Sequence, residues 1–155
     1  MSKPTQEFPP ICEMIPHSRT MCLLDRVVAW DGEQTQCVLT VSGNDPFADS
    51  SGRIPAYVGI EYISQCAAAH VFLKRRDEGG DSFPKVALLL GSRKVELFAD
   101  QFTVGQTLRI QATPIATGSD TSIFAGEIHD AENNDVLLKA QLTFYQPKTL
   151  DVSIA

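Results

Sequence analysis

The sequence predicts an α+β fold in which an antiparallel β-sheet wraps around one long central helix. Three observations carry that expectation. Residues 56–76 contain no glycine or proline except Gly59, and their apolar side chains spread around most of the circumference; such a helix has no solvent face and is buried. From residue 85 onward the hydrophobic period changes to two, the period of strands. A helix that is greasy all round needs a sheet curved about it.

Composition bounds the rest. The chain has 155 residues, 43% of them hydrophobic and 21% charged, as in an ordinary single domain with a real core. The expected organisation is one domain over residues 1–155, preceded within it by an irregular, proline-rich arm at 1–14. A formal net charge of −6 argues against nucleic acid or anionic membrane as the main partner, since both need clustered Lys and Arg. No apolar run approaches the roughly 20 residues of a membrane span. MSKPTQEFPP lacks the charged-then-apolar pattern of a signal peptide, so a cytoplasmic location is expected. Cys12, Cys22, Cys37 and Cys66 are widely spread with no CxxC pair, so all four are expected as reduced thiols without metal.

The elements follow in order. Residues 20–30 and 33–42 flank Asp31-Gly32, a hairpin signal, and Cys37, Leu39 and Val41 alternate as on a half-buried strand. Pro55 suits a first helical turn. Val58, Tyr62, Cys66, Ala69 and Leu73 make one helical stripe, and Ile60, Ile63, Ala67 and Val71 extend it. Lys74, Arg75 and Arg76 favour the negative helix end, and Gly79-Gly80 stops it. Residues 85–90 form a continuous apolar run, the pattern of a central strand. Residues 107–115, 121–129 and 136–144 alternate, separated by turns at 117–120 and 132–135.

One carboxylate, Glu61, lies inside the apolar helix. A lone acid there is expensive unless something uses it. Read from the residues alone, it is either a functional acid or a structural one bonded to Ser64 or Gln65.

Several motifs resemble one family. IPHSRTMCLLDRV (15–27) is similar to the opening of the 3-hydroxyacyl-acyl-carrier-protein dehydratases, L-P-H-R-Y-P-F-L-L-V-D-R-V, through Pro16, His17, Leu23, Leu24, Asp25, Arg26 and Val27. Asn44, Pro46 and Phe47 resemble the N-x-P-F start of that family's active-site loop. Pro55, Ile60, Glu61 and Gln65 match its P-G-x-x-x-I-E-x-x-A-Q helix start, and residues 94–110 resemble its later strand pair, with Val104-Gly105-Gln106 at its Pro-Gly-Asp. These matches cover about residues 14–146. The resemblance implies the hotdog fold, and the subgroup most similar in pattern is the dehydratase-like proteins of aryl polyene biosynthetic clusters. One departure is serious. The family's loop carries a catalytic histidine in H-F-P-G, and here the shorter loop Ala48-Asp49-Ser50-Ser51-Gly52-Arg53-Ile54 has none.

The resemblance implies roles for particular residues. Dehydration needs a base for the C2 proton, an acid for the departing hydroxyl and donors for the thioester oxygen. Glu61 matches the helix acid, in a proton-donating or water-orienting role. Asn44, Pro46, Phe47, Pro55, Ala56, Tyr57 and Gln65 are implied to bind substrate, with amides at the helix start polarising the carbonyl. His17 matches a histidine that is structural in the family, but the shortened loop opens a path from it to the site, making it the second catalytic candidate. His70 lies nine residues after Glu61, on the opposite helix face at about 100° per residue, and is expected in the core. His129, at a strand end, is expected to be solvated. Asp45 and Asp49 are expected as solvated loop acids, each available as a base if buried. Arg53 and residues 74–76 are surface cations able to meet an acidic carrier.

The substrate would ride on the phosphopantetheine of an acyl carrier protein, and no cofactor or metal is expected, because the chemistry is proton transfer. The family dimerises side by side with sites at the interface. The expected assembly is a homodimer or a hetero-oligomer with a second hotdog dehydratase, which would supply the missing histidine. Two alternatives stand beside this reading: a hotdog acyl thioesterase, which uses a helix carboxylate and water without a loop histidine, and a catalytically silent structural subunit.

Overall fold

The computed structural model describes residues 6–17, 19–80 and 87–146. Helix α1 (Ile11–Met14) precedes strands β1 (Arg26–Trp30), β2 (Thr35–Thr40) and β3 (Arg53–Pro55); helix α2 spans Gly59–Asp77, and β4 (Leu88–Leu97), β5 (Gln101–Thr103), β6 (Thr107–Thr117), β7 (Thr121–Asp130) and β8 (Val136–Tyr145) follow. Six strands form one sheet in the order β1-β2-β6-β7-β8-β4, while β3 and β5 pair separately. Every pairing is antiparallel. The sheet wraps around α2, the hotdog arrangement.

The hairpin forms where Asp31-Gly32 predicts it. Asp31 Oδ1 accepts the amides of Glu33 and Gln34 at 2.9 and 2.8 Å, and Gly32 takes φ +89°, which a side chain disfavours. The first strand is shorter than the apolar run, because residues 19–21 make a 3-10 turn and β1 starts at Arg26. Pro55 ends β3 opposite Gln101, and the helix is preceded by a 3-10 turn at Ala56–Val58. At its other end, the amides of Glu78 and Gly79 reach the carbonyls of Lys74 and Arg76.

The core lies between α2 and the concave sheet face. Leu108, Ile110 and Ala112 of β6, Phe124 and Ile128 of β7, and Leu138, Ala140 and Leu142 of β8 meet Tyr62, Ile63, Cys66, Ala69 and Leu73. The period-two alternation is thus the sheet face that receives the helix. Helix and sheet touch closely at Gly126, where a Cβ would overlap Ile63 Cγ2.

Three expectations are corrected. The arm at 1–14 is not irregular throughout, since α1 buries Ile11 and Met14, and Ile15 beside them is 2% exposed. Its prolines concealed a short apolar anchor. Cys12 and Cys22 are joined as a disulfide, and only Cys37 and Cys66 are buried free thiols; the spacing rule looked for CxxC and missed a pair that the fold brings together. The run at 85–90 is not a central strand. Residues 85 and 86 lie outside the described residues, Ala87 precedes the strand, and 88–90 belong to β4, which among the described residues pairs only with β8 and is exposed along its whole length. Leu88, Leu89, Leu90, Val95 and Leu97 are all exposed there. An apolar edge strand is a surface that calls for a partner.

Candidate active site

Glu61 is in the first turn of α2 and its side chain is 33% exposed, so the helix is not sealed on that flank. His17 Nε2 approaches Glu61 Oε1 at 2.8 Å. Gln65, one turn along, donates from Nε2 to the same Oε1 at 3.1 Å. Gln65 is fully buried because it also clamps the segment before β1: its Nε2 donates to the Met21 carbonyl at 2.7 Å and its Oε1 accepts the Leu23 amide at 2.9 Å. Among the described residues both bonds to Glu61 therefore end on Oε1, and none ends on Oε2. Ser64, the other expected partner, donates to the Ile60 carbonyl instead.

The electrostatics follow from this. Burial pushes the Glu61 carboxyl up, but the hydrogen bonds from His17 and Gln65, with the imidazole's charge, hold it below the usual carboxylate range. Glu61 is ionised at neutral pH in this state.

A cavity of about 200 Å³ opens beside the pair. Its near end holds Pro16, His17, Glu61 and Ser64, and its walls are apolar, from Ala68 and Val71 on α2, Leu88 and Leu89 on β4, and Phe124 and Phe144 on the sheet. A carboxylate at one end of an apolar slot is a layout that suits a reaction at the head of an acyl chain. Among the described residues no group of three His, Cys, Asp or Glu is placed to hold a metal ion.

Other expected site residues lie elsewhere. Asn44, Pro46, Phe47, Pro55, Ala56 and Tyr57 do not line this cavity. Phe47 is 39% and Tyr57 64% exposed. The Ala56 amide donates to the Asp100 carbonyl at 3.0 Å and so is not free to polarise a thioester. Asp45 and Asp49 shape the loop: Asp45 accepts the Phe47 amide and, at 3.4 Å, the Tyr62 hydroxyl, and Asp49 accepts the amides of Ser51 and Arg53. His70 is in the core as expected, 1% exposed, with Nδ1 against the Thr35 hydroxyl at 2.8 Å. His129 is not solvated; it is 13% exposed and pairs with Glu127 at 3.1 Å. Sequence reasoning missed the cavity wall on β4, because a strand that faces a partner and a strand inside a sheet have the same apolar pattern.

A long helix wrapped by an antiparallel sheet, with a helix carboxylate beside an apolar slot, defines the hotdog class. The model of the ApeP-like family, described as ApeP dehydratase, matches residues 9–155, and the chain belongs to that family. It is 30% identical over 135 residues to the 3-hydroxyacyl-[acyl-carrier-protein] dehydratase FabZ of Staphylococcus saprophyticus, covering 79% of this chain and 88% of the relative. The FabZ of Staphylococcus carnosus matches to the same extent. Among solved structures, the dehydratase heterocomplex ApeI:P from Xenorhabdus doucetiae superposes with a TM-score of 0.83 at 28% identity, covering 92% of this chain and 94% of that one. A hypothetical thioesterase with coenzyme A from Streptococcus pneumoniae, at TM-score 0.60 and 12% identity over 79% and 84% of the two chains, shares the fold. The protein is therefore 3-hydroxyacyl-acyl-carrier-protein dehydratase-like, a lyase by kinship. No helix among the described residues is long and apolar enough to cross a membrane.

Proposed function

We propose that this chain is one half of a dehydratase whose active site is completed across β4 by a second hotdog subunit. The observation that carries the reading is Glu61, held through one oxygen only, at the end of an apolar cavity whose wall is an uncovered edge strand. Dehydration of a 3-hydroxyacyl thioester breaks a C2–H bond and the C3–O bond and leaves an enoyl thioester and water. Glu61, through Oε2, gives its proton to the departing hydroxyl. A base from the partner subunit, in the role of the absent loop histidine, takes the C2 proton, and solvent returns it to Glu61 after release.

The carboxylate is ionised in the uncovered chain, so it must be made a donor. Covering the cavity with a partner and an acyl chain adds to the burial that already pushes Glu61 up, while His17 and Gln65 stay unchanged. Assembly and substrate thus move Glu61 toward its protonated form. His17 and Gln65 act as positioning residues, fixing Oε1 so that Oε2 faces the slot. The acyl carrier protein delivers the thioester, and no cofactor enters these steps.

The test is turnover of a 3-hydroxyacyl-carrier-protein thioester by this chain alone and mixed with a histidine-bearing hotdog dehydratase, products resolved by mass spectrometry. Enoyl product from the mixture that is lost with Glu61→Gln in this chain is the expected result. Equal turnover by the Glu61→Gln mixture would remove Glu61 from the chemistry, and free acid as the product would make the chain a thioesterase.

A further inference from the structure

The disulfide brackets the imidazole of the site. Cys12 and Cys22 are ten residues apart in sequence and 5.8 Å apart at Cα, and His17 lies five residues from either of them. The bond therefore closes a small ring of chain with His17 at its middle. Both ends of that ring are fixed. On one side Ile11, Met14 and Ile15 are buried and α1 lies against α2. On the other, Gln65 holds the Met21 carbonyl and the Leu23 amide at 2.7 and 2.9 Å. The middle of the ring reaches the cavity, where Pro16 and His17 form part of the wall.

Within the ring the imidazole has little of its own to hold it. Its Nε2 meets Glu61 Oε1 at 2.8 Å, and among the described residues its Nδ1 has no hydrogen-bond partner. Its orientation therefore depends on that one contact and on the backbone that carries it. A cross-link narrows the conformations open to that backbone. The bond is also within reach of a reductant, because Cys12 is exposed and Cys22 half-buried, whereas the free thiols Cys37 and Cys66 are buried in the core. Exposed disulfides are the labile ones. Neither the packing of α1 nor the Gln65 clamp passes through the bond, so opening it leaves the ends of the ring in place and frees its middle.

We propose that Cys12–Cys22 is a redox-operated positioning device: closed, it presents His17 to Glu61, and opened by a dithiol reductant it lets His17 leave the carboxylate. A thiolate of the dithiol attacks one sulfur, the Cys12–Cys22 bond breaks, and a mixed disulfide forms. The second thiolate of the dithiol then releases the bound cysteine. Cys12 and Cys22 end as thiols, having gained two electrons and two protons, and the dithiol ends as its own disulfide. The consequence for the reaction rests on the dehydratase reading above, in which His17 helps to fix Oε1. With the ring open, Gln65 alone holds that oxygen. Among the described residues His17 is the titratable group that bears on Glu61, and Gln65 is neutral. The oxidised chain is therefore the competent form.

The experiment uses the full-length chain, alone and with its partner dehydratase, before and after treatment with dithiothreitol. In the chain alone, ¹³C NMR of labelled glutamate reads the Glu61 titration, assigned by its absence in Glu61→Gln. Reduction should move it to higher pH, since a hydrogen bond and a charge that lower the carboxyl are lost, and reoxidation should bring it back, with far-UV circular dichroism unchanged. With the partner present, reduction should lower turnover of a 3-hydroxyacyl-carrier-protein thioester about tenfold. Cys12→Ser with Cys22→Ser should behave as the reduced chain under both conditions. His17→Ala should keep the bond, seen by mass spectrometry of alkylated peptides, and lose the response. Alkylation of Cys12 and Cys22 in the oxidised chain, a Glu61 titration unmoved by reduction, unfolding on reduction, turnover indifferent to reduction, or a titration shift that persists in either variant would overturn the device. A titration that moves on reduction, in a chain whose complex turns over nothing, keeps the device and discards the dehydratase reading. Turnover with a titration that ignores reduction does the reverse.

Discussion

Glu61–His17 and Glu127–His129 are two carboxylate–imidazole pairs of the same composition, with contacts of 2.8 and 3.1 Å. Their carboxylates are about equally exposed, 33% and 36%, and in both, burial pushes the carboxyl up while hydrogen bonds more than offset it. They differ in how the oxygens are used. Glu127 gives Oε2 to His129 and Oε1 to Lys139 at 3.4 Å, so both oxygens are occupied. Among the described residues Glu61 takes both of its bonds on Oε1 and none on Oε2, and it lines the cavity. Pairing and a lowered pKa do not by themselves mark a reactive acid; in the function proposed above it is the oxygen left over and the slot beside it that set Glu61 apart.

Substitution at the two acids gives the largest expected contrast. Glu61→Gln keeps the shape and removes the proton, and should lower turnover by the assembled enzyme roughly 10²–10⁴-fold, the usual share of a general acid. Glu127→Gln should leave it within about twofold. A loss of similar size at both positions would dissolve the distinction and point to folding as the common cause.

Acid titration sharpens it next, through a third histidine. His70 is held down to about 4 from an ordinary 6.5, first by burial and then by Lys74, with Asp31 pulling weakly the other way. Between those values the unfolded imidazole carries a proton that the folded one does not. Stability is therefore complete above pH 6.5 and is lost as pH falls toward 4, by up to roughly 3 kcal/mol at about 1.4 kcal/mol per pH unit. Glu61 acts later: its stabilisation is present above its unfolded value near 4.5 and is lost below it, through a lower folded value. Denaturant midpoints measured from pH 7 to 3 should show the His70 loss first, and His70→Gln should flatten the upper window only.

His17→Ala tests what the imidazole does to Glu61. Removing it deletes a hydrogen bond and a charge that lower the carboxyl, so the Glu61 titration should move to higher pH, read by ¹³C NMR of labelled glutamate. Turnover should fall less than in Glu61→Gln, because Gln65 still holds Oε1. A titration that stays in place would mean that His17 neither charges nor orients the acid.

These pairs also mark where sequence reading ends. The helix was legible because its 19 residues average over local accidents, and β6, β7 and β8 were legible because each alternates against that helix. Glu61 stood out as a lone acid in apolar surroundings. His17 was visible only through a motif, since nothing in the spacing from 17 to 61 says that Gln65 will clamp Met21 and Leu23 and bring the segment over α2. The Cys12–Cys22 bond was hidden for the same reason. β4 failed differently: its leucines obey the rule for a buried strand, and what buries them is absent from one chain's sequence.

The smallest expected effect concerns the surface pair itself. His129 is mostly covered but Glu127 and Lys139 are 36% and 46% exposed, so their attraction is weakened by solvent and salt. Lys139→Met should cost less than about 1 kcal/mol of stability, and most of that should vanish at high ionic strength, where exposed pairs are screened. Gln65→Leu, which removes the amide from Glu61 and from two backbone groups at once, should cost about 2 kcal/mol or more at any salt, because the buried Leu23 amide and the half-buried Met21 carbonyl are left unpaired. Thermal denaturation of both variants across a salt series separates the cases. A salt-insensitive Lys139 effect as large as that of Gln65 would mean that the outer pair is desolvated by a subunit packed over the sheet, and the contrast between the two carboxylates would then lie in what covers them.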